Sequence, residues 1–460
     1  MSSETAGSGP TRRLAEFVTG LRFEALPSPV VAQACNVILD TVGCALAAWR
    51  DDPQKADIAR KLVFGFAARP VASVWGGAGA RTDPALAALA NGILANAADF
   101  DDTHKRALIH TGSVIVPGTL ALAEECGLDG ATVIAAIVAG YEAAVRVGMA
   151  VMPTHYRFWH STATNGTFGA AASAARALGL DADRAQLALG FAGTQAAGLN
   201  TFFTSGDFTK SLHPGKAAFN GVLSARLAAL GATSPQTMLE HDKGYLNAFS
   251  LEPNLEALTD GLGRTWEILQ NGFKFFPSIL ASHAPIQATL DVVTKHDVRA
   301  ADIAGITNET YETVKTHFST KTVETSMAAR VSVPYCVAVA ALDRRVGQGQ
   351  FAPQRVAAPD VRDLLARTEV VSVPELTALY PEKFPARVTV TLRNGRRLTA
   401  MRLFPKGDPQ EPLSASEIEA KFLQNASARL TRAQAIELAK CILNLPEDKD
   451  LSRLNGLIAL

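Results

Sequence analysis

Residues 98–118 read ADFDDTHKRALIHTGSVIVPG, a dense polar run set between two long, alanine-rich apolar segments. On its N-terminal side Asp83 and Pro84 have the pattern of an N-cap and first-turn pair. The run from Ala85 to Ala98 is apolar at nearly every position, as a buried helix would be. Such a helix delivers Asp99, Asp101, Asp102, Thr103 and His104 at its C-terminal end, where the helix dipole disfavours negative charge. Three carboxylates within four residues therefore need compensation, and Lys105, Arg106 and His110 follow at once. If the helix continues that far, Asp99 and Thr103 share a face. The run reads as one wall of an active site or as a solvated loop of mixed charge.

Working outward, the flanking segments set the fold class. From Asp83 to about residue 250 the period is almost entirely helical, with breaks at Gly127, Gly179 and Gly231 and a start signal at Ser234-Pro235. GAAASAARALG (169–179) and GFAGTQAAG (190–198) are dominated by Ala and Gly. Small residues permit close helix–helix approach, which predicts a compact helical bundle rather than a sheet. Upstream, residues 1 to about 10 read as a flexible tail, Leu14 to Trp49 as two helical segments around Pro27 and Pro29, and Gly76 to Gly79 as a loop. The most apolar long segment, Ala131 to Met152, carries Glu142 and Arg146 at i, i+4 spacing, which fits a buried or interface helix with an internal ion pair better than a membrane span.

After about residue 265 the texture changes. Asp302 to Glu309, Glu369 to Val373, Arg387 to Leu392 and Arg397 to Leu403 read as strands, with Asn394-Gly395 as a hairpin turn between the last two. Helical stretches around Ala284 to Val293 and Val333 to Ala341 lie between them. Ser414 to Leu460 returns to helical pattern and is expected to dock back on the first domain. The expected organisation is mainly α: a large all-helical domain over 1–265, a smaller α+β lid domain over 266–404, and C-terminal helices over 405–460.

Composition bounds the function. The chain has 460 residues, 48% apolar and only 19% charged, which argues for much buried surface and against disorder. Lys plus Arg equals Asp plus Glu at 44 each, so no global field attracts nucleic acid or an anionic membrane, and an anionic ligand must be held by a local cluster. The five cysteines are scattered without a CxxC pair, which suggests neither a thiolate metal site nor a disulfide framework. The polar N-terminus MSSETAGSGPTRR lacks an apolar signal core, so a cytoplasmic location is the expectation.

Four further constellations carry chemistry. In HYRFWHST (155–162), Arg157 and His160 are three apart before a glycine-rich helix start whose N–H groups could hold an anion; a lone histidine near aromatics is also a common structural residue. In DFTKSLHPGKAAFNG (207–221), Lys210, His213 and Lys216 step by three at the opening of an apolar helix, either as one side of a site or as ordinary surface lysines. In NGFKFFPSILASH (271–283), Lys274 stands among Phe273, Phe275 and Phe276. A desolvated lysine there calls for a carboxylate partner; the alternative is a lysine whose stem lies on the core edge with its ammonium in water. In ARVSVPYC (329–336), Arg330 and Tyr335 precede an apolar helix.

In combination and order, DFDDTH, the histidine before GTFGAAAS, KSLHPGKAA, FKFFPS and ARVSVPY resemble the MmgE/PrpD family, which includes 2-methylcitrate dehydratases, cis-aconitate decarboxylases and iminodisuccinate epimerases. The resemblance runs from Leu14 into the C-terminal helices. It implies a cofactor-independent active site between a large helical domain and a smaller lid, with no bound metal, and a homodimer. Residue by residue it places Asp99, Thr103, His110, His160, Lys210 and Tyr335 at site positions, with Lys274 in a matching basic position. The sequence departs from the decarboxylase form in two ways. The spacing from Thr103 to His110 is one residue longer, and His110 is followed by Thr-Gly-Ser instead of Pro-Ser-Gly. Lys105, Arg106, Arg157, His213 and Lys216 are additional candidates for gripping an anionic substrate.

These residue types suit proton movement next to a carboxylate, because the doubly charged species left behind needs preorganised cations and donors. His160 and His110 are the expected proton-transfer pair, Tyr335 and Thr103 the donors to substrate, Asp99 the orienting group, and Lys210, Lys274 and Arg157 the stabilising cations. The expected activity is that of a lyase acting on a di- or tricarboxylate, hydro-lyase first. An epimerase or isomerase of a dicarboxylate, or a cis-aconitate-type decarboxylase, is the alternative, and a non-catalytic anion-binding scaffold is the remote one.

Overall fold

The computed structural model describes residues 9–202 and 207–460, so residues 1–8 of the expected tail lie outside the described residues. Pro10 already opens a helix, α1 (Pro10–Gly20). It is followed by α2 (Ser28–Asp51), α3 (Pro53–Phe64), α4 (Pro84–Asn96), α5 (Gly112–Cys126), α6 (Gly130–Val151), α7 (Ser161–Ala177), α8 (Ala182–Gln195) and α9 (Thr209–Ala229). The local signals act as read. The Asp83 carboxylate accepts from Ala85 N at the start of α4, Gly127 caps α5 in the left-handed conformation, and Gly179 and Gly231 end their helices at positive φ. Ser234-Pro235 starts no regular helix; Ser234 Oγ donates to the Leu187 carbonyl and ties the turn to α8.

Small residues set how closely the bundle packs. A methyl group on Gly92 of α4 would meet Gly215 Cα of α9 at 2.7 Å, so these helices cross backbone to backbone. α6 is buried along almost its whole length and packs on α7. Its Glu142 and Arg146 form the expected ion pair, Nε to Oε2 at 3.1 Å. Arg146 also donates to the carbonyls of Asp260 and Thr265, and Glu142 accepts from Glu267 N at 2.7 Å, so the pair fastens the segment leading out of the bundle. Burial pushes the Glu142 carboxyl up to about 7, against the pull of Arg146.

A second core lies over residues 276–392. Two short ladders, β1 (Ala72–Ser73) with β2 (Arg81–Thr82) and β3 (Thr103–His104) with β4 (Asn271–Gly272), precede its four-stranded sheet, which has the order β6-β5-β7-β8, from β5 (Ile303–Thr310), β6 (Thr368–Ser372), β7 (Ala386–Leu392) and β8 (Arg397–Arg402). β5 runs parallel to β6 and antiparallel to β7, and β7 and β8 form the hairpin signalled by Asn394-Gly395, with Gly395 at φ +83°. Helices His283–Lys295 and Val333–Asp343 pack against each other, and the first covers β7 and β8. After β8 the chain returns to the bundle: helix Ala415–Ala426 packs on α2, and its Ile418, Phe422 and Ala426 join the first core. The architecture is mainly α, with a large helical lobe and a smaller α+β lobe.

Candidate active site

α4 stops at Asn96, short of the polar run. The expectation that Asp99 and Thr103 share a helical face is corrected: Asp99 sits at φ +52°, a left-handed conformation that aspartate tolerates better than most residues, and the chain turns there. Thr103–His104 then forms a two-residue strand, β3, paired antiparallel with β4 (Asn271–Gly272), Thr103 opposite Gly272. This short ladder brings the segment after β4 to the turn, and with it Lys274.

Lys274 Nζ lies 2.5 Å from Asp99 Oδ1 and donates to the Asp99 carbonyl at 3.0 Å. Lys210 Nζ, from the first turn of α9, lies 2.5 Å from the same Oδ1. The desolvated lysine therefore meets a carboxylate of its own chain. Burial alone would raise Asp99, but Lys210, Lys274 and His110 hold it well below the usual carboxylate range. Lys274 is itself lowered by burial, with Asp99 opposing the shift.

The other two carboxylates have separate partners. Asp101 accepts from Asn96 Nδ2 at 2.9 and 3.0 Å and lies 3.4 Å from His110 Nδ1; burial is outweighed, by His110 first, and its pKa falls to about 2. Asp102 accepts from Gly112 N at the start of α5 and from the Tyr141 hydroxyl at 2.7 Å. Burial, with the charges of Asp40 and Asp101, pushes it up to about 8. A methyl on Gly112 would run into Thr41 Oγ1 and reach Asp102 Oδ1 at 2.5 Å, so this contact needs glycine.

His110 is oriented from behind. Its Nδ1 lies 3.1 Å from the Asp102 carbonyl and 3.3 Å from Thr103 Oγ1. Its Nε2 faces Asp99 Oδ1 at 3.7 Å and its Nδ1 lies 3.4 Å from Asp101 Oδ1, so the ring stands between two carboxylates. His160 stands at the N-cap position of α7; its ring centre is 6.3 Å from that of His110, and its Nδ1 is 2.9 Å from His213 Nδ1. Burial, then neighbouring positive charge from His213, His110 and Lys210, holds His160 well below the usual imidazole range, and burial takes His213 to about 4. Both rings are uncharged at neutral pH.

A cavity of about 70 Å³ opens in front of them between the lobes. The helical lobe supplies Thr103, His110, His160 and Lys210; Lys274 comes from the segment joining the lobes, and most of the remaining wall is apolar or aromatic. Ligand atoms of Asp99, Asp101 and His110 lie within 4.8 Å of one another. A divalent cation there would have to displace two ammonium groups already on Asp99, so the donor set fits lysine better than metal.

Several sequence candidates lie elsewhere. Tyr335 is fully buried in the second core, donating to the Gln350 carbonyl at 2.5 Å, because the first turn of its helix packs inward against Phe351. Lys105 is bound to Asp408 and Gln410 of the returning chain. Arg106 is exposed beside Glu267 in a separate surface cleft. Arg157 is exposed over the Phe158 ring. Lys216 donates to the carbonyls of Gln195 and Ala197, since a step of three drifts around a helix with 3.6 residues per turn. His213 is present, but behind His160. Sequence reasoning missed the roles of Asn96, Tyr141 and the aromatic wall of the second lobe, which carry no local motif.

A two-lobed, mainly helical chain with buried lysines and histidines converging at the lobe junction is an arrangement suited to acid–base work on an anionic ligand. The chain belongs to the MmgE/PrpD family: its N-terminal domain model matches residues 12–258 and its C-terminal domain model residues 276–445. A cis-aconitate decarboxylase-like protein of Aspergillus oryzae is 27% identical over 100% of this chain and 99% of its own length. The cis-aconitate decarboxylase of Aspergillus terreus is 26% identical over 99% and 97%, and that of Homo sapiens 28% identical over 97% and 94%. These relatives mark the family as lyase-type.

Proposed function

We propose that this protein is a lyase that removes a proton from the carbon next to a bound carboxylate and expels a β-hydroxyl as water. The observation carrying this reading is the convergence of Lys210, Lys274 and His110 on Asp99. Abstraction of the α-proton puts a second negative charge on the substrate carboxylate, and two ammonium groups fixed at one point stabilise that charge without reorganising. The bonds of Lys210 and Lys274 to Asp99 leave N–H donors on both for a ligand. His110 Nε2 takes the proton, and Asp101 beside its Nδ1 stabilises the imidazolium that forms. Thr103 and the uncharged His160 also line the cavity and are available to hydrogen-bond the substrate.

The names of the relatives favour a second reading, in which carbon dioxide leaves and the carbanion is protonated by the same groups. Proton NMR in deuterated water with a panel of hydroxy and unsaturated acids separates the two. A vinylic signal without carbon dioxide supports the hydro-lyase, carbon dioxide with deuterium at the reacting carbon supports the decarboxylase, and an unchanged panel, including no α-deuteration, refutes both for those acids.

A further inference from the structure

The cavity is charged on one side and carries phenols on the other. Lys210 and Lys274 have partners in the chain before any ligand binds: both meet Asp99, and Asp101, beside His110, also acts on Lys274. Among the described residues the lining holds no arginine and no third lysine. A second anionic group on a ligand therefore has to find neutral donors.

The second lobe supplies them. Tyr311 follows directly on β5, and Tyr380 follows the short helix Pro374–Thr377. Val373 N donates to the Thr310 carbonyl at 3.0 Å, and Thr310 Oγ1 donates to the Pro385 carbonyl at 2.9 Å, so the two segments are held side by side. Their rings stack with 4.5 Å between centres and 10° between planes, and Phe384 meets both edge-on at 5.7 and 5.4 Å. Tyr311 is only 2% exposed and lines the cavity, yet its hydroxyl has no hydrogen-bond partner among the described residues, and neither has that of Tyr380. A phenol oxygen left unpaired in a nearly dry wall is costly unless a ligand meets it. Tyr156 of the helical lobe lines the same cavity. Burial, then Tyr380 and Asp99, push its phenol up, and burial, then Tyr380 and Tyr156, do the same for Tyr311. Three neighbouring phenols thus stay protonated at neutral pH, each with a proton to donate.

We infer that Tyr311 and Tyr380, with Tyr156, seat a second carboxylate of the substrate through neutral O–H donors, while Lys210 and Lys274 hold the carboxylate next to the reacting carbon. The inference rests on the carboxylate-lyase reading above and assigns it specificity-determining residues for an acid with two or more carboxylates. A hydroxyl bonded to an ionised acceptor makes a stronger bond than one bonded to a neutral acceptor, so these donors distinguish a carboxylate from an alkyl group at the same place. The two seats lie on different lobes, so a ligand that fills both joins them.

Calorimetric titration of the intact protein with citraconate and crotonate, unsaturated acids with two carboxylates and one, tests this. Wild type is expected to bind citraconate at least about tenfold tighter than crotonate. In the double variant Tyr311→Phe/Tyr380→Phe, which keeps both rings and changes only the hydroxyls, citraconate is expected to weaken about tenfold or more while crotonate stays within about twofold. On an acid that wild type converts, KM is expected to rise with kcat little changed. Wild type that binds crotonate as tightly as citraconate, or binds no citraconate, overturns the inference. So does a double variant with unchanged citraconate affinity, or one that loses both acids equally, which marks a packing effect. NMR in deuterated water on the same samples keeps the two ideas apart. Hydroxyl-dependent citraconate binding with no proton exchange or turnover across the acid panel sinks the lyase reading and leaves the seat standing. Turnover that is indifferent to both hydroxyls does the reverse.

Discussion

Asp99 and Lys274, far apart in the chain, are joined at 2.5 Å because the ladder between β3 and β4 sets Thr103 opposite Gly272. With Lys210 on the same oxygen, this contact links the bundle to the segment that leads into the second lobe. Asp99→Asn leaves two ammonium groups buried against a neutral amide. Removing one partner of a buried ion pair costs about 3–5 kcal/mol, so urea unfolding of this variant is expected to shift by that order, and Asp99→Asn combined with Lys274→Met to recover part of the loss.

His110 is the expected base. His110→Asn keeps a donor near the Asp102 carbonyl but has no imidazole to take the proton, so turnover is expected to fall on the order of 10²- to 10⁴-fold with ligand affinity little changed. Unaltered turnover on an acid that the wild type converts would remove His110 from the mechanism.

Gly112→Ala probes the support behind His110. The added methyl strikes Thr41 and Asp102, moving the carboxyl away from Tyr141 and the start of α5. Overpacking of this kind costs typically about 1–3 kcal/mol, and turnover is expected to drop with it, since the Asp102 carbonyl orients the His110 ring. A variant as stable and as active as wild type would show that this contact does not matter.

Lys421, on the helix Ala415–Ala426, pairs with Asp40 at 2.6 Å and donates to the Phe100 carbonyl at 2.7 Å. Lys421→Met strands a buried carboxylate and frees the turn that carries Asp99. The expected outcome is a lower melting temperature and lower turnover, read by calorimetry and by the NMR assay.

Mild acid tests the burial of four histidines. Burial takes His155 and His213 to about 4 and His283 to about 3, and His160 also lies well below its ordinary value. Unfolded histidines titrate near 6.5, so between pH 6.5 and about 4 the unfolded chain binds protons that the folded chain does not. The stabilisation is fully present above pH 6.5 and is lost as pH falls toward 4. Asp102 and Glu142, raised to about 8 and 7, act in the opposite sense, so the histidine contribution is read as a difference: from pH 7 to pH 5 the urea midpoint of His283→Gln is expected to rise relative to wild type, and an unchanged difference would contradict the burial of that ring.

Much of this molecule was legible locally. Asp83-Pro84, Gly127, Gly179 and Gly231 act within one turn of helix, and the Asn394-Gly395 hairpin and the Glu142–Arg146 pair depend on residues a few positions apart. Asp99, Thr103, His110, His160, Lys210 and Lys274 were singled out, together with Tyr335, by the resemblance of their motifs to the MmgE/PrpD family; read one at a time, each pattern left a structural alternative open. The tertiary structure alone decided which of them meet. No periodicity predicts that β3 pairs with β4, that Lys210 and Lys274 share one oxygen, or that Tyr335 turns into its own core while Tyr311, Tyr380 and Phe384 face the ligand space. Local structure follows from short-range sterics and hydrogen bonding, which the sequence carries residue by residue. The charge and shape of a cavity are sums over segments brought together only when two cores close.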